Sequence, residues 1–136
     1  MDAVERWMRK VAMIAVALAV VACATGGAHG VSVPIRDLQS IAGRWQGLMQ
    51  AADSQQDDFI DVTLVADGTY QTGGARTVGV IDGRGRAAVQ DGRLRLTGER
   101  STATGRLFEK EGKRTLVIDV TAASGRQFTA RLSPRP

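Results

Sequence analysis

Cys23 is the only thiol in the chain and His29 the only imidazole, and between them they delimit the chemistry this sequence can perform. One cysteine cannot close a disulfide within the chain. One histidine, set in a glycine-rich stretch, leaves no histidine triad, no Cys/His nucleophile pair and no histidine-based zinc site. What remains is carboxylates, guanidiniums and the cysteine itself.

The carboxylates Asp53, Asp57, Asp58 and Asp61 invite a calcium or acid-pair reading, but their spacing fits no Ca²⁺ loop and no glycine marks a bend. They read as a solvated loop leading into a strand. Asp61 with Asp119 is no more than the pair of acids that many chains offer, so it does not argue for glycoside hydrolysis. Gly83-Arg84-Gly85-Arg86 lacks the strand-to-helix setting in which glycine-rich loops cradle phosphate, and reads as a β-turn. Arg84, Arg86, Arg93 and Arg95 form the strongest polar group. Guanidiniums bind phosphate or carboxylate bidentately, so this set could receive lipid A phosphates, an anionic phospholipid or a polyanion. It equally fits an ordinary solvated face, with partners such as Glu99 opposite Arg84. No metal ligand set, cofactor motif or catalytic constellation stands out, and an enzyme is not expected.

The cysteine gains meaning from what precedes it. Arg9 and Lys10 are followed by an uncharged apolar run over residues 11–22. That run is too short to cross a bilayer core, which needs roughly 20 apolar residues, and its basic flank and small-residue end have the layout of a secretory signal peptide. Asp2 and Glu5 are unusual in such a leader, and a start at Met8 would give the cleaner "MRKVAMIAVALAVVAC". Val20-Val21-Ala22-Cys23 resembles the lipobox of bacterial lipoproteins. The resemblance implies cleavage before Cys23, lipidation of its sulfur with fatty acids such as palmitate, and attachment to the membrane. Ala24, rather than Asp, after the cysteine implies the outer-membrane sorting class. A multiply acylated residue is a stable anchor, at roughly 0.8 kcal/mol per buried methylene.

Residues 1–22 thus read as signal peptide, 23–33 as lipidated cysteine plus flexible tether, and 34–136 as one small domain. The leader carries three bases and two acids, so its removal lowers the net charge from +4 to +3. Charge is uneven along the rest: acids dominate up to Ala75 and arginines beyond it. That asymmetry can mark a polyanion-binding face, although arginine usage also follows genome composition.

The elements that must carry these residues are strands. Ile35, Leu38 and Ile41, spaced by three between Pro34 and Gly43, predict a short helix. Beyond Gly43 the period changes to two. Ile60, Val62, Leu64 and Ala66 share one face, as do Leu116, Ile118 and Val120, and then Phe128, Ala130 and Leu132. Asp91-Gly92 is a type I′ hairpin signal. Pairing outward from it puts Gln90 with Arg93, Val89 with Leu94, Ala88 with Arg95, Ala87 with Leu96 and Arg86 with Thr97. This register gathers Val89, Leu94, Ala87 and Leu96 on one face and the arginines on the other. Turns at Asp82-Gly83, Glu111-Gly112 and Ser124-Gly125 divide the chain into about eight or nine strands, predicting an all-β, antiparallel up-and-down meander that curls into a barrel.

Gly43-Arg44-Trp45, between the short helix and the first strand, resembles the Gly-x-Trp signature of lipocalins and related small barrels. The resemblance implies that Trp45 closes one barrel end beneath an arginine of the last strand, here Arg131, as a cation–π contact. The chain is shorter than a typical lipocalin, and with small inward residues such as Ala87 and Ala130 its interior is expected to be filled by its own side chains.

The expected protein is a non-enzymatic binding or structural module, held by a lipid anchor in the bacterial envelope, at the outer membrane facing the periplasm, and monomeric. Its expected partners are the membrane and either an envelope protein or anionic lipid. Small anchored envelope barrels also include inhibitors of hydrolases, the alternative reading. Nucleic acid is not expected, since the compartment is wrong and few aromatics are present for base stacking.

Overall fold

The structure, a computed structural model, describes residues 29–74 and 83–136. The leader, Cys23 and Asp82 lie outside the described residues. Nine strands follow in order: β1 Val31–Val33, β2 Gly43–Ala51, β3 Asp57–Val65, β4 Thr69–Gly73, β5 Arg84–Gln90, β6 Arg93–Thr97, β7 Ser101–Lys110, β8 Lys113–Ala122 and β9 Gln127–Arg135. From β2 to β9 each strand pairs antiparallel with the next, and β9 returns to β2, closing an eight-stranded barrel consistent with the lipocalin-like kind. β1 pairs with β7 beside its lower half, where β6 has ended. Among the described residues, every paired strand residue and every core residue falls between residues 30 and 135.

Closure follows from the period of two. Ile60, Val62 and Leu64, Leu94 and Leu96, Leu116, Ile118 and Val120, and Phe128, Ala130 and Leu132 are all buried in one core. Ala66 falls in the β3–β4 turn instead and is exposed. The Asp91-Gly92 hairpin has the expected register over all five pairs. Both turn residues have positive φ, 53° and 75°, as a type I′ turn requires.

Three expectations are corrected. The predicted helix is a single 3-10 turn, Gln39–Ile41, because Ala42 is already extended (φ −62°, ψ 145°) to enter β2. A spacing of three is the 3-10 period, not the α period of 3.6. Residues 31–33, read with the tether, form β1: Val-Ser-Val is too short for alternation to announce a strand. Finally, Arg84, Gly85 and Arg86 are strand rather than turn, with Gly85 opposite Tyr70. A Cβ at Gly85 would lie 2.8 Å from the Tyr70 ring, so the glycine makes room for the aromatic across the ladder.

The interior is packed. Gly105 points inward between large neighbours, and a Cβ there would come within 3.0 Å of the Leu94 Cβ. The hollow left among Ile60, Val62, Leu96, Ala103, Ile118 and Ala130 is about 30 Å³, far below the roughly 300–1,000 Å³ of small-molecule pockets.

One end, called lower here, is closed by the segment between β1 and β2. Ile35 and Ile41 are buried, and the Ile35 amide donates to the Gly92 carbonyl at 2.9 Å. The β5–β6 and β7–β8 turns lie at this end, while the β6–β7 and β8–β9 connections lie at the upper end.

Candidate functional site

Trp45 is 2% exposed, and its indole N–H donates to the Ile41 carbonyl at 2.9 Å. Gly43, two residues earlier, has φ of 125°, a conformation that other residues rarely adopt, so the signature glycine is required by the backbone that delivers Trp45 to the core. The arginine over Trp45 is Arg114, with its guanidinium carbon 5.5 Å from the ring centroid. Arg114 also donates to the Ser40 carbonyl at 2.9 Å, tying β8 to the 3-10 turn. Arg131 does not stack there. It alternates with the buried Ala130 and Leu132 and so faces outward, across from Leu48 and Val117. Arg114 shares the phase of Leu116, Ile118 and Val120, which was the signal in the sequence that pointed to it.

The four candidate arginines all lie on the outer face of β5 and β6, and all are exposed. Their cross-strand neighbours are small or neutral: Arg86 stands between Thr69 and Thr97, Arg95 between Ala88 and Thr104, Arg84 beside Gln71, and Arg93 beside Gln90. Among the described residues none of the four has a carboxylate within ion-pair distance. Glu99 lines a groove of about 700 Å³ with Arg84 and Arg86 but pairs with neither. Lower on the same face, Arg93 and Arg95 line a hollow of about 340 Å³ with Gln90, Thr104 and the carboxylate of Asp91, which pairs with neither arginine. Arg93 also borders a second of about 350 Å³ with Arg106, Phe108 and β1. The outer face therefore offers two pairs of exposed guanidiniums, Arg84 and Arg86 at the upper groove and Arg93 and Arg95 lower down.

The acidic group is dispersed rather than gathered. Asp61 accepts from Arg44 Nε at 3.0 Å and Nη2 at 3.2 Å, and from Gln46 Nε2 at 2.6 Å. The hydrogen bond from the Arg44 guanidinium holds the Asp61 carboxyl below the usual carboxylate range, against the opposing effect of desolvation and with a smaller contribution from the Gln46 amide. Asp53 pairs with Arg126 at 3.4 Å, and Asp119 with Arg106 at 3.6 Å. No set of three or more potential metal ligands converges among the described residues.

Sequence reasoning missed two exposed apolar regions. Leu48 and Phe59, 51% and 47% exposed, are cross-strand neighbours on the outer face of β2 and β3. Val31, 63% exposed, and half-buried Phe108 lie on the opposite side of the barrel, where the N-terminal segment joins β7. Neither belongs to a run that breaks alternation, so the sequence gives no warning of them. Among the described residues no helix is long and apolar enough to cross a membrane. No protein-family model, curated protein or solved structure matches this chain.

Proposed function

We propose that this protein is a non-enzymatic binding module of the bacterial cell envelope, anchored by lipid on Cys23 and engaging an anionic envelope component through the outer face of β5 and β6. The observation that carries this reading is the set Arg84, Arg86, Arg93 and Arg95, exposed on one sheet face without carboxylate partners among the described residues. The filled interior supports it, since a hollow of about 30 Å³ leaves the exterior as the binding surface. The lipid anchor rests on the lipobox-like Val20-Val21-Ala22-Cys23 alone. The outer-membrane location, facing the periplasm, rests on Ala24 in place of Asp after that cysteine.

Two experiments test the two halves. Metabolic labelling with a fatty acid should mark the natural chain and not Cys23→Ser; label persisting in the variant removes the anchor. The barrel as residues 23–136 with Cys23→Ser should bind vesicles rich in phosphatidylglycerol, or lipopolysaccharide, and release steeply as salt rises, because exposed charges are screened over about 8 Å at physiological ionic strength. Binding that ignores salt would mean that the guanidiniums do not carry it.

A further inference from the structure

The described chain begins at His29, whose ring stands 5.6 Å from that of Phe108 at the lower half of β7. Only residues 24–28 separate it from Cys23, and that stretch spans at most about 20 Å in any conformation. Strands of nine or ten residues run roughly 30 Å at 3.3 Å per residue, which at the usual barrel tilt of roughly 35–45° is about 20–25 Å along the axis. The lead is thus no longer than the barrel is tall. Such a lead favours the surface around its root as the one that meets the headgroups.

That surface has a composition suited to the position. Half-buried Phe108 supplies apolar area on the outer face, with Arg106 lying 5.7 Å over its ring, and exposed Val31 adds apolar area at the lower rim from the other face of the β1–β7 ladder. Arg93 and Arg95 flank it on β6, and the β7–β8 hairpin places Lys110 opposite Lys113 at its tip. Acids are present too: Asp91, Glu109 and Glu111 at the turns and Asp119 on Arg106, with Glu109 across the ladder from Arg114. Counting Arg114, bases exceed acids by two in this group. Each excess charge near anionic headgroups is worth roughly a fivefold preference. For a free protein that would be weak, but a short lead raises the effective concentration to about the millimolar range, where a small preference is enough to choose a face.

We infer that the lower β1–β6–β7 surface, with Phe108 among Arg93, Arg95, Arg106, Lys110 and Lys113, lies against the anionic bilayer that holds the anchor. The inference rests on the lipid-anchor reading. It deepens the proposed function by dividing the arginine face: Arg93 and Arg95 serve the anchor's own membrane, and Arg84 and Arg86 at the upper groove are presented away from it.

The chain's three phenylalanines supply the test. Phe108 is on this surface, Phe59 on the opposite outer face, and Phe128 in the core at 2% exposure. The acylated mature protein, labelled with 4-fluorophenylalanine, is placed in phosphatidylglycerol nanodiscs containing a lipid with a paramagnetic headgroup. The expected result is selective loss of the Phe108 fluorine signal, with Phe59 and Phe128 retained. Arg93→Glu with Arg95→Glu, or a purely zwitterionic bilayer, should restore the Phe108 signal towards that of Phe59. Equal loss at Phe59 and Phe108, or greater loss at Phe59, overturns the inference, whether a second face meets the bilayer or a protein partner occupies this one. Mass spectrometry of the same sample separates the two readings: an unacylated Cys23 removes the anchor and this inference together, whereas an acylated protein with an undisturbed Phe108 removes this inference alone.

Discussion

At the residue scale, the barrel's lower closure depends on one indole and the cation above it. Trp45→Ala removes a fully buried aromatic and should cost about 3–5 kcal/mol in urea unfolding. Arg114→Ala loses the cation–π contact and a charged hydrogen bond to Ser40, for about 1–2 kcal/mol. Arg131→Ala, on an exposed outer position, should stay within about 0.5 kcal/mol. An Arg131 effect equal to that of Arg114 would contradict the stacking seen here. Asp61 gives a second residue-scale test. Its carboxyl is held low by Arg44 and Gln46, so the folded form binds its proton less readily than the unfolded chain, whose carboxylates titrate near about 3.9. The resulting stabilisation is present above that pH and is lost as pH falls through the folded value. Carboxyl-carbon NMR should find Asp61 titrating below about 3.9, and Arg44→Ala should raise it; an unchanged midpoint in that variant would show that the pair has no hold on Asp61. Trp45 was legible because Gly43-Arg44-Trp45 is a local pattern, whereas its partner depended on which strand crosses the barrel end.

At the element scale, the β5–β6 hairpin is where sequence and structure agree most closely, and the reason is local. Asp-Gly sets the turn, the turn sets the register, and the register alone sorts apolar from basic side chains. Gly92→Ala should therefore cost about 1–2 kcal/mol for the left-handed backbone, with its new Cβ also 3.2 Å from Pro34. Thermal unfolding reads the loss, and a neutral result would mean that the turn can relax to another type. β1 and the 3-10 turn were not legible in the same way. Val31–Val33 is a strand only because β6 stops short and leaves the lower edge of β7 unpaired. The short segment before β2 is wound only as far as the lower barrel end allows. Val117 makes the same point: it alternates with buried core residues and should be exposed, yet it is 4% exposed, lying in the ladder between Arg106 and Arg131. Alternation predicts the face, and only the neighbours decide the burial.

At the scale of the whole molecule, the closed barrel is filled by its own side chains, leaving an internal hollow of only about 30 Å³ among the described residues. Gly105 and the inward alanines Ala87, Ala103 and Ala130 allow the walls to close upon Leu94, Leu116 and Phe128. The arginines were placed on the correct face by the sequence because they alternate with that core. That no carboxylate among the described residues pairs with them is a three-dimensional fact that no spacing announces. The proposed function requires that this face bind anionic envelope material as a specific surface rather than through net charge. The most direct measurement compares two charge-matched double reversals in the barrel of residues 23–136 with Cys23→Ser, using vesicles rich in phosphatidylglycerol. Arg93→Glu with Arg95→Glu should abolish binding while the β-sheet circular dichroism spectrum is unchanged, because both side chains point away from Leu94 and Leu96. Arg131→Glu with Arg135→Glu, on the far side at β9, should lower binding only modestly. Equal losses in the two variants, or full binding by the first, would contradict the account.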